Sequence, residues 1–139
     1  MKACFIGLGS IGTRHCQNLA LLCREAGVSL SLDAVRSSNQ PVRESLQPYD
    51  IRMLNSFEEM DDEYDMIFIT NPTSLHYATM RKVGNKSKHF FIEKPVFEKE
   101  DEDITALPLK ADALCYVAAP LRYTRVLQDA KNTWQITRF

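Results

Sequence analysis

The chain opens on a short apolar run, Ala3-Cys4-Phe5-Ile6, that breaks at once into Gly7-Leu8-Gly9-Ser10-Ile11-Gly12. Few local arrangements accept that series. A continuous apolar run of strand length suits a strand covered on both faces. Glycines at this spacing suit a strand that turns sharply into a helix. Gly7 would make the turn, Gly9 would let backbone approach a pyrophosphate, and Gly12 would let the helix pack closely on the strand. The N–H groups of Ser10 and Ile11, with the positive end of the helix dipole, would then meet the anion. Taken alone, G-x-G-x-x-G also fits a structural turn or a methyltransferase-like loop. Its place after the first strand and before a helix favours a dinucleotide.

The remaining sequence alternates apolar strand-length runs with segments of helical period, the pattern of βαβ units. From Ser10 a helix is expected with Ile11, His15, Asn18/Leu19 and Leu22 on neighbouring turns and Gly27 as its stop. Later strands are expected at 28–35, 50–54, 65–70, 89–92 and 113–118. Helices should run from Thr73 or Ser74 to about Val83 and from Tyr123 to Lys131. The acidic run Glu98 to Asp103 reads as a solvated helix start. The expected fold is α/β, a doubly wound parallel six-stranded sheet (Rossmann), with residues 1–139 as one dinucleotide-binding domain. Such a domain holds a cofactor but rarely supplies the pocket that chooses a substrate.

Composition narrows the partners. A formal net charge of −1 gives no electrostatic footprint for nucleic acid or an anionic membrane. No stretch has the length of a transmembrane helix, and with Met1-Lys2 expected to run straight into a strand, no signal peptide is expected. Cys4, Cys16, Cys23 and Cys115 form no C-x-x-C pair and sit in apolar settings. They read as reduced thiols of a cytoplasmic protein, and no metal site is expected.

Cofactor choice rests on the end of the second strand, where two registers compete. If the strand stops at Leu32, Asp33 is the acid that accepts from the ribose 2′-OH of NAD, about 20 residues after the glycines. If it runs to Val35, Arg36-Ser37-Ser38 form a seat for the 2′-phosphate of NADP. An Asp33 buried within a covered strand would be costly unless paired, which favours the first register. Ala34-Val35 prolongs the apolar run and favours the second. NADP is the first choice and NAD the second, with Arg36 and Ser37 as the phosphate contacts.

Three segments together carry a family resemblance: Ile6 to Leu19 (I-G-L-G-S-I-G-T-R-H-C-Q-N-L), Thr70 to His76 (T-N-P-T-S-L-H) and His89 to Val96 (H-F-F-I-E-K-P-V). The chain resembles the Gfo/Idh/MocA oxidoreductases over nearly its whole length, and Glu93-Lys94-Pro95 is the most specific element. Arg-Ser-Ser after the second strand resembles the branch of the family associated with sugars of bacterial surface polysaccharides. The resemblance implies that Asn71 and Pro72 form the turn beneath the nicotinamide ribose, with His76 one turn into the next helix and near the ring. It implies that Glu93 lies near that ribose. Lys94 would hold the substrate hydroxyl beside the nicotinamide and tune its proton transfer. Pro95 often follows a cis bond in the family. The implied function is the nucleotide-binding half of an NAD(P)-dependent oxidoreductase acting on a sugar, polyol or related secondary alcohol.

Plainer readings stand beside these. Lys94 would then be a surface lysine, His76 a helix-face histidine and His15 a structural residue. Arg122 resembles a family arginine but equally suits a surface salt bridge, and Trp134 reads as packing. Members of the family usually run to more than twice this length. Their second α+β domain carries the proton-transferring histidine, most substrate contacts and the interface of a homo-oligomer. With that half absent, the chain alone is expected to be inactive. The alternative function is a non-catalytic dinucleotide-binding module, a sensor or a partner of another chain.

Overall fold

β1 (Lys2–Ile6) lies inside a six-stranded sheet, which is why its residues are apolar on both sides: Ala3, Cys4, Phe5 and Ile6 are each at most 3% exposed. The computed structural model describes residues 1–36 and 42–136. The other strands are β2 (Ser31–Val35), β3 (Ile51–Leu54), β4 (Tyr64–Ile69), β5 (Ser87–Ile92) and β6 (Leu114–Val117). All pair in parallel, in the order β3-β2-β1-β4-β5-β6. This is the doubly wound order in which the strand order reverses between β1 and β4, leaving a crevice at their carboxyl ends.

Alternation along β1 divides the core between the two faces. Cys4 and Ile6 join Ile67, Ile69, Phe90 and Ile92 on one side. Ala3 and Phe5 join Leu32, Ala34 and Phe68 on the other, against α1 (Ser10–Glu25). On that second side an aromatic row crosses the sheet. Phe5 stacks on Phe68 with ring centres 4.3 Å apart, Phe68 meets Phe91 at 5.3 Å, and Phe91 meets Tyr116 at 5.6 Å. Aromatic pairs of this kind add to what their area contributes, and the row links four neighbouring strands across one face of the sheet.

Several expectations need correction. The inner face of α1 is Gly12, Thr13, Cys16 and Cys23, while Ile11 and Leu22 are exposed. At Gly12 the helix meets the Gly7 carbonyl with no room for a Cβ, and the buried residues of its inner face are small, with Leu19 packed beside them. Between β2 and β3, and between β3 and β4, the described residues hold single 3-10 turns (Glu44–Leu46 and Phe57–Glu59) in place of helices. The acidic run is a turn, not a helix start: Glu102 folds back so that its Oε2 accepts from the N–H groups of Glu98 and Lys99. After Asn71-Pro72 comes a 3-10 turn, Thr73–Leu75, and then α2 (His76–Val83), with no side-chain cap on either. The last helix begins later than expected, as α3 (Arg125–Ile136), because Pro120–Tyr123 forms a 3-10 turn of its own.

β2 decides between the two registers. It runs through Val35, and Asp33 sits in its middle opposite Cys4 and Arg52. The Asp33 carboxylate is 3% exposed and fully engaged: Arg52 donates through Nε at 2.9 Å and Nη2 at 2.5 Å, and the Tyr64 hydroxyl donates at 2.5 Å. Asp61 also takes hydrogen bonds from Arg52 and from Lys2, which hold its carboxyl below the usual range. Burial, then the bond to Asp33, pushes the Tyr64 hydroxyl above its ordinary range and keeps it a donor. Burial and the Asp33 charge push the Cys4 thiol up to about 12. Asp33 is therefore an internal ion-pair partner and not the ribose acid at the strand end.

Asp33→Ala should leave the buried Tyr64 hydroxyl without its acceptor and cost about 1–3 kcal/mol of stability. Thermal unfolding followed by circular dichroism should show the loss, while preference between NAD(H) and NADP(H) stays as in the unaltered chain. A changed preference with unchanged stability would return Asp33 to the cofactor.

Candidate functional site

The carboxyl edge of the sheet gathers residues that lie far apart in sequence. Gly7 leaves β1 with φ of +95°, a conformation that side chains disfavour, and a Cβ there would lie 2.9 Å from the Asn71 nitrogen. Gly12 has no room for one either, since it would collide with the Gly7 carbonyl. Thr70 holds this turn from the opposite side, its hydroxyl donating to the Gly7 carbonyl at 2.6 Å with the Ile6 carbonyl 3.2 Å away. Gly9 is the exception: space within 4 Å of its would-be Cβ is open. Gly9 also begins α1 with no side-chain cap and no acid in the first turn. The N–H groups of Ser10, Ile11 and Gly12 are thus left to an anion, as helix starts favour.

Asn71 and Pro72 follow β4. The Asn71 Nδ2 donates to Thr79 Oγ1 at 2.9 Å, while its Oδ1 is buried without a hydrogen-bond partner among the described residues. A buried acceptor left unpaired is costly, so the atom suits a donor brought by a ligand. Asn71 and Gly7 border a cavity of 410 Å³ that also meets Arg36, Asn55, Ser56 and Lys82. Arg36 directly follows β2, at the position the longer register requires. Ser37 and Ser38 lie outside the described residues.

His76 differs from expectation. It is 1% exposed, with Nδ1 3.0 Å from the Val96 carbonyl and Nε2 2.9 Å from the Asn71 carbonyl. Both nitrogens face backbone carbonyls, so the ring braces the Asn71-Pro72 turn against the segment after Lys94, a structural engagement the sequence did not indicate.

Glu93 and Lys94 follow β5, and the Lys94–Pro95 bond is cis. Lys94 is exposed, and no hydrogen bond or ion pair engages its Nζ among the described residues. Glu93 is the opposite case, held by His15 of α1 at 2.6 Å. With Ile11, Tyr116 and Tyr123 these residues line a second cavity, of 530 Å³. The glycine turn therefore borders both cavities, one reaching Arg36 and the other Lys94. Sequence reasoning missed Thr70 and Thr79 as supports and Tyr116 and Tyr123 as walls. Thr70 opens the Thr70 to His76 motif, but nothing in the motif shows its bond to the Gly7 carbonyl; Thr79 is marked only by its bond from Asn71, and Tyr116 and Tyr123 acquire their places from segments elsewhere in the chain.

The open space at Gly9, the uncapped helix start and the orphaned Asn71 Oδ1 together fit a dinucleotide laid across the crevice. A comparison with protein families decides what kind. Residues 1–117 match the model of the Gfo/Idh/MocA proteins, an oxidoreductase family with an NAD-binding Rossmann fold. The chain belongs to the Gfo/Idh/MocA family. It is the family's NAD-binding domain, and its relatives include an inositol dehydrogenase and a nucleotide-sugar dehydrogenase. UDP-N-acetylglucosamine 3-dehydrogenase of Acidithiobacillus ferrooxidans is 32% identical over 77% of this chain and 32% of its own. The scyllo-inositol 2-dehydrogenase (NAD(+)) of Bacillus subtilis is 24% identical over 95% of this chain and 39% of its own. This Gfo/Idh/MocA domain thus spans about a third of the length of the curated relatives it matches. Among solved structures, the WlbA dehydrogenase of Bordetella pertussis, in complex with NADH and UDP-GlcNAcA, shares the fold. Its TM-score is 0.75 at 19% identity, over 99% of this chain and 42% of the WlbA chain.

Proposed function

We propose that the chain is the cofactor-holding part of an NAD(P)-dependent oxidoreductase that acts on a secondary alcohol of a sugar or polyol, with NADP(H) as its first choice and NAD(H) as its second. The observation that carries this reading is the Lys94 ammonium just after β5, which no hydrogen bond or ion pair engages among the described residues, on the edge shared with the glycine turn and Asn71. A module that only bound dinucleotide would have no use for a lysine there. The relatives' names supply the substrate class, and four unpaired thiols suit a reducing, cytoplasmic setting.

A nicotinamide dinucleotide, when bound, supplies the hydride acceptor or donor. The chain's own groups do the rest. The N–H groups of Ser10, Ile11 and Gly12 hold the pyrophosphate, with Gly7 and Gly9 giving it room. The unpaired Asn71 Oδ1, with Pro72 beside it, takes a donor from the bound ligand, and Glu93 accepts from the ribose. Lys94 Nζ donates to the alcohol oxygen and shares its proton as the charge on that oxygen changes. Arg36 gives the adenosine ribose its 2′-phosphate seat, with Lys82 as a second cation on the same rim. Glu58 is the acid on that rim, and its hydrogen bond from Ser56 keeps it below the usual carboxylate range. Two cations against one acid leave the rim net positive. Substrate contacts are assigned to a second domain.

Calorimetry tests the reading on this chain. Titration with NADPH and NADH should release or absorb heat that saturates at one site per chain, while assays with sugars or polyols show no useful turnover. Absence of binding at millimolar dinucleotide would overturn the proposal, and brisk dehydrogenation by the chain alone would overturn the assignment of substrate contacts.

A further inference from the structure

We propose that His15 is a positioning residue for the β5 end, aiming Glu93 and through it the backbone that carries Lys94; the inference rests on the role given to Lys94 above. His15 lies in the second turn of α1, which starts at the phosphate-binding glycine turn. Its Nε2 is 2.6 Å from Glu93 Oε1, and the two side chains are 19% and 16% exposed. An ionised carboxylate only accepts, so His15 is the donor. The second oxygen, Oε2, accepts from the Lys94 N–H at 3.3 Å. One carboxylate thus joins α1 to the peptide preceding the lysine side chain.

Two further contacts show that the ring is held and not merely lodged. His15 and Phe91 meet in a T-shaped pair, 4.9 Å between ring centres, and His15 lies 6.4 Å from Phe68. Those rings belong to the aromatic row that crosses the sheet, so the imidazole has a rigid floor. Glu93 is tied on its backbone as well, its N–H donating to the Ile69 carbonyl at 3.0 Å. The free choice left to Glu93 is the direction of its carboxylate, and His15 sets it. Each carboxylate oxygen has a further lone pair, so the clamped Glu93 still accepts from a ribose hydroxyl. A packing role alone would be met by any ring of similar size and would give Glu93 no fixed aim.

The two roles separate by which half of a dinucleotide feels the change. NADPH and NADH reach the β5 end, whereas adenosine 2′,5′-bisphosphate and ADP occupy only the adenosine side. In calorimetry on this chain, His15→Ala should weaken NADPH and NADH by about tenfold, within what the loss of a charge-assisted hydrogen bond allows. The two adenosine fragments should bind as before. His15→Gln places an amide N–H near the position of Nε2 and should restore most of the dinucleotide affinity. Equal losses for whole and half ligands, no loss at all, or no rescue by glutamine would overturn the positioning role. Should His15→Ala melt below the assay temperature, His15→Phe decides: a ring of similar size that cannot donate to Glu93 must weaken the whole dinucleotides and leave the two fragments unchanged, and unchanged dinucleotide affinity would overturn the positioning role. If the unaltered chain binds neither dinucleotide, the functional proposal itself falls and takes this inference with it.

Discussion

Replacing Lys94 by alanine is expected to lower kcat by about 100- to 10,000-fold, the range typical of a general acid–base group. The measurement requires a protein in which this chain is joined to a substrate-binding domain. Dinucleotide affinity should change little, because the pyrophosphate is assigned to the glycine turn and the riboses to Arg36, Asn71 and Glu93. Loss in kcat and in kcat/KM together is the signature of a contact made chiefly in the transition state. The geometry supports that division. Lys94 carries an exposed ammonium that no side chain among the described residues engages, beside a Glu93 already held by His15. Lys94→Arg should not restore turnover, since a guanidinium keeps its proton and differs in reach and shape. A Lys94→Ala enzyme with near-normal kcat would reduce Glu-Lys-Pro to a structural strand end.

Arg36→Ala is expected to abolish a preference for NADP(H) over NAD(H). A hydrogen bond to a charged phosphate contributes about 1.5–3 kcal/mol, roughly 10- to 150-fold in affinity. NAD(H) affinity should hardly move, because its 2′-hydroxyl offers Arg36 no charge. Paired titrations of the chain and the variant with both cofactors give the answer directly. A chain that prefers NAD(H), with the preference untouched by Arg36→Ala, would refute the phosphate seat. Asp33 would not then be its replacement, because its carboxylate is already saturated by Arg52 and Tyr64.

The contrast between Asp33 and Arg36 shows where reading the chain reaches its limit. Both lie near the end of an apolar run, and burial of an acid argued for stopping the strand early. What overturned that argument was Arg52 on β3 and Tyr64 on β4, partners 19 and 31 residues away. Desolvation is costly only for a charge without partners, and no local pattern says which distant residues will arrive. α1 forms where the sequence places it, from Ser10, but its buried face differs for a related reason. Its buried side is built of Gly12, Thr13, Cys16 and Cys23, small residues that a search for large apolar side chains at helical spacing passes over.

By itself the sequence determined what depends on neighbours along the chain. Apolar runs specified parallel strands covered on both faces, glycine spacing specified the strand-to-helix turn, and Glu93-Lys94-Pro95 specified the family. Tertiary structure decided which polar groups are spent on the fold and which remain for a ligand. It consumed Asp33 in an ion pair, turned His76 onto two backbone carbonyls and joined His15 to Glu93 across 78 residues. It left Asn71 Oδ1 and the Lys94 ammonium unengaged among the described residues. The reason is physical: strand and turn preferences are set by local sterics and periodicity, whereas a polar atom is satisfied or left open by whatever the closed sheet brings within about 3 Å of it.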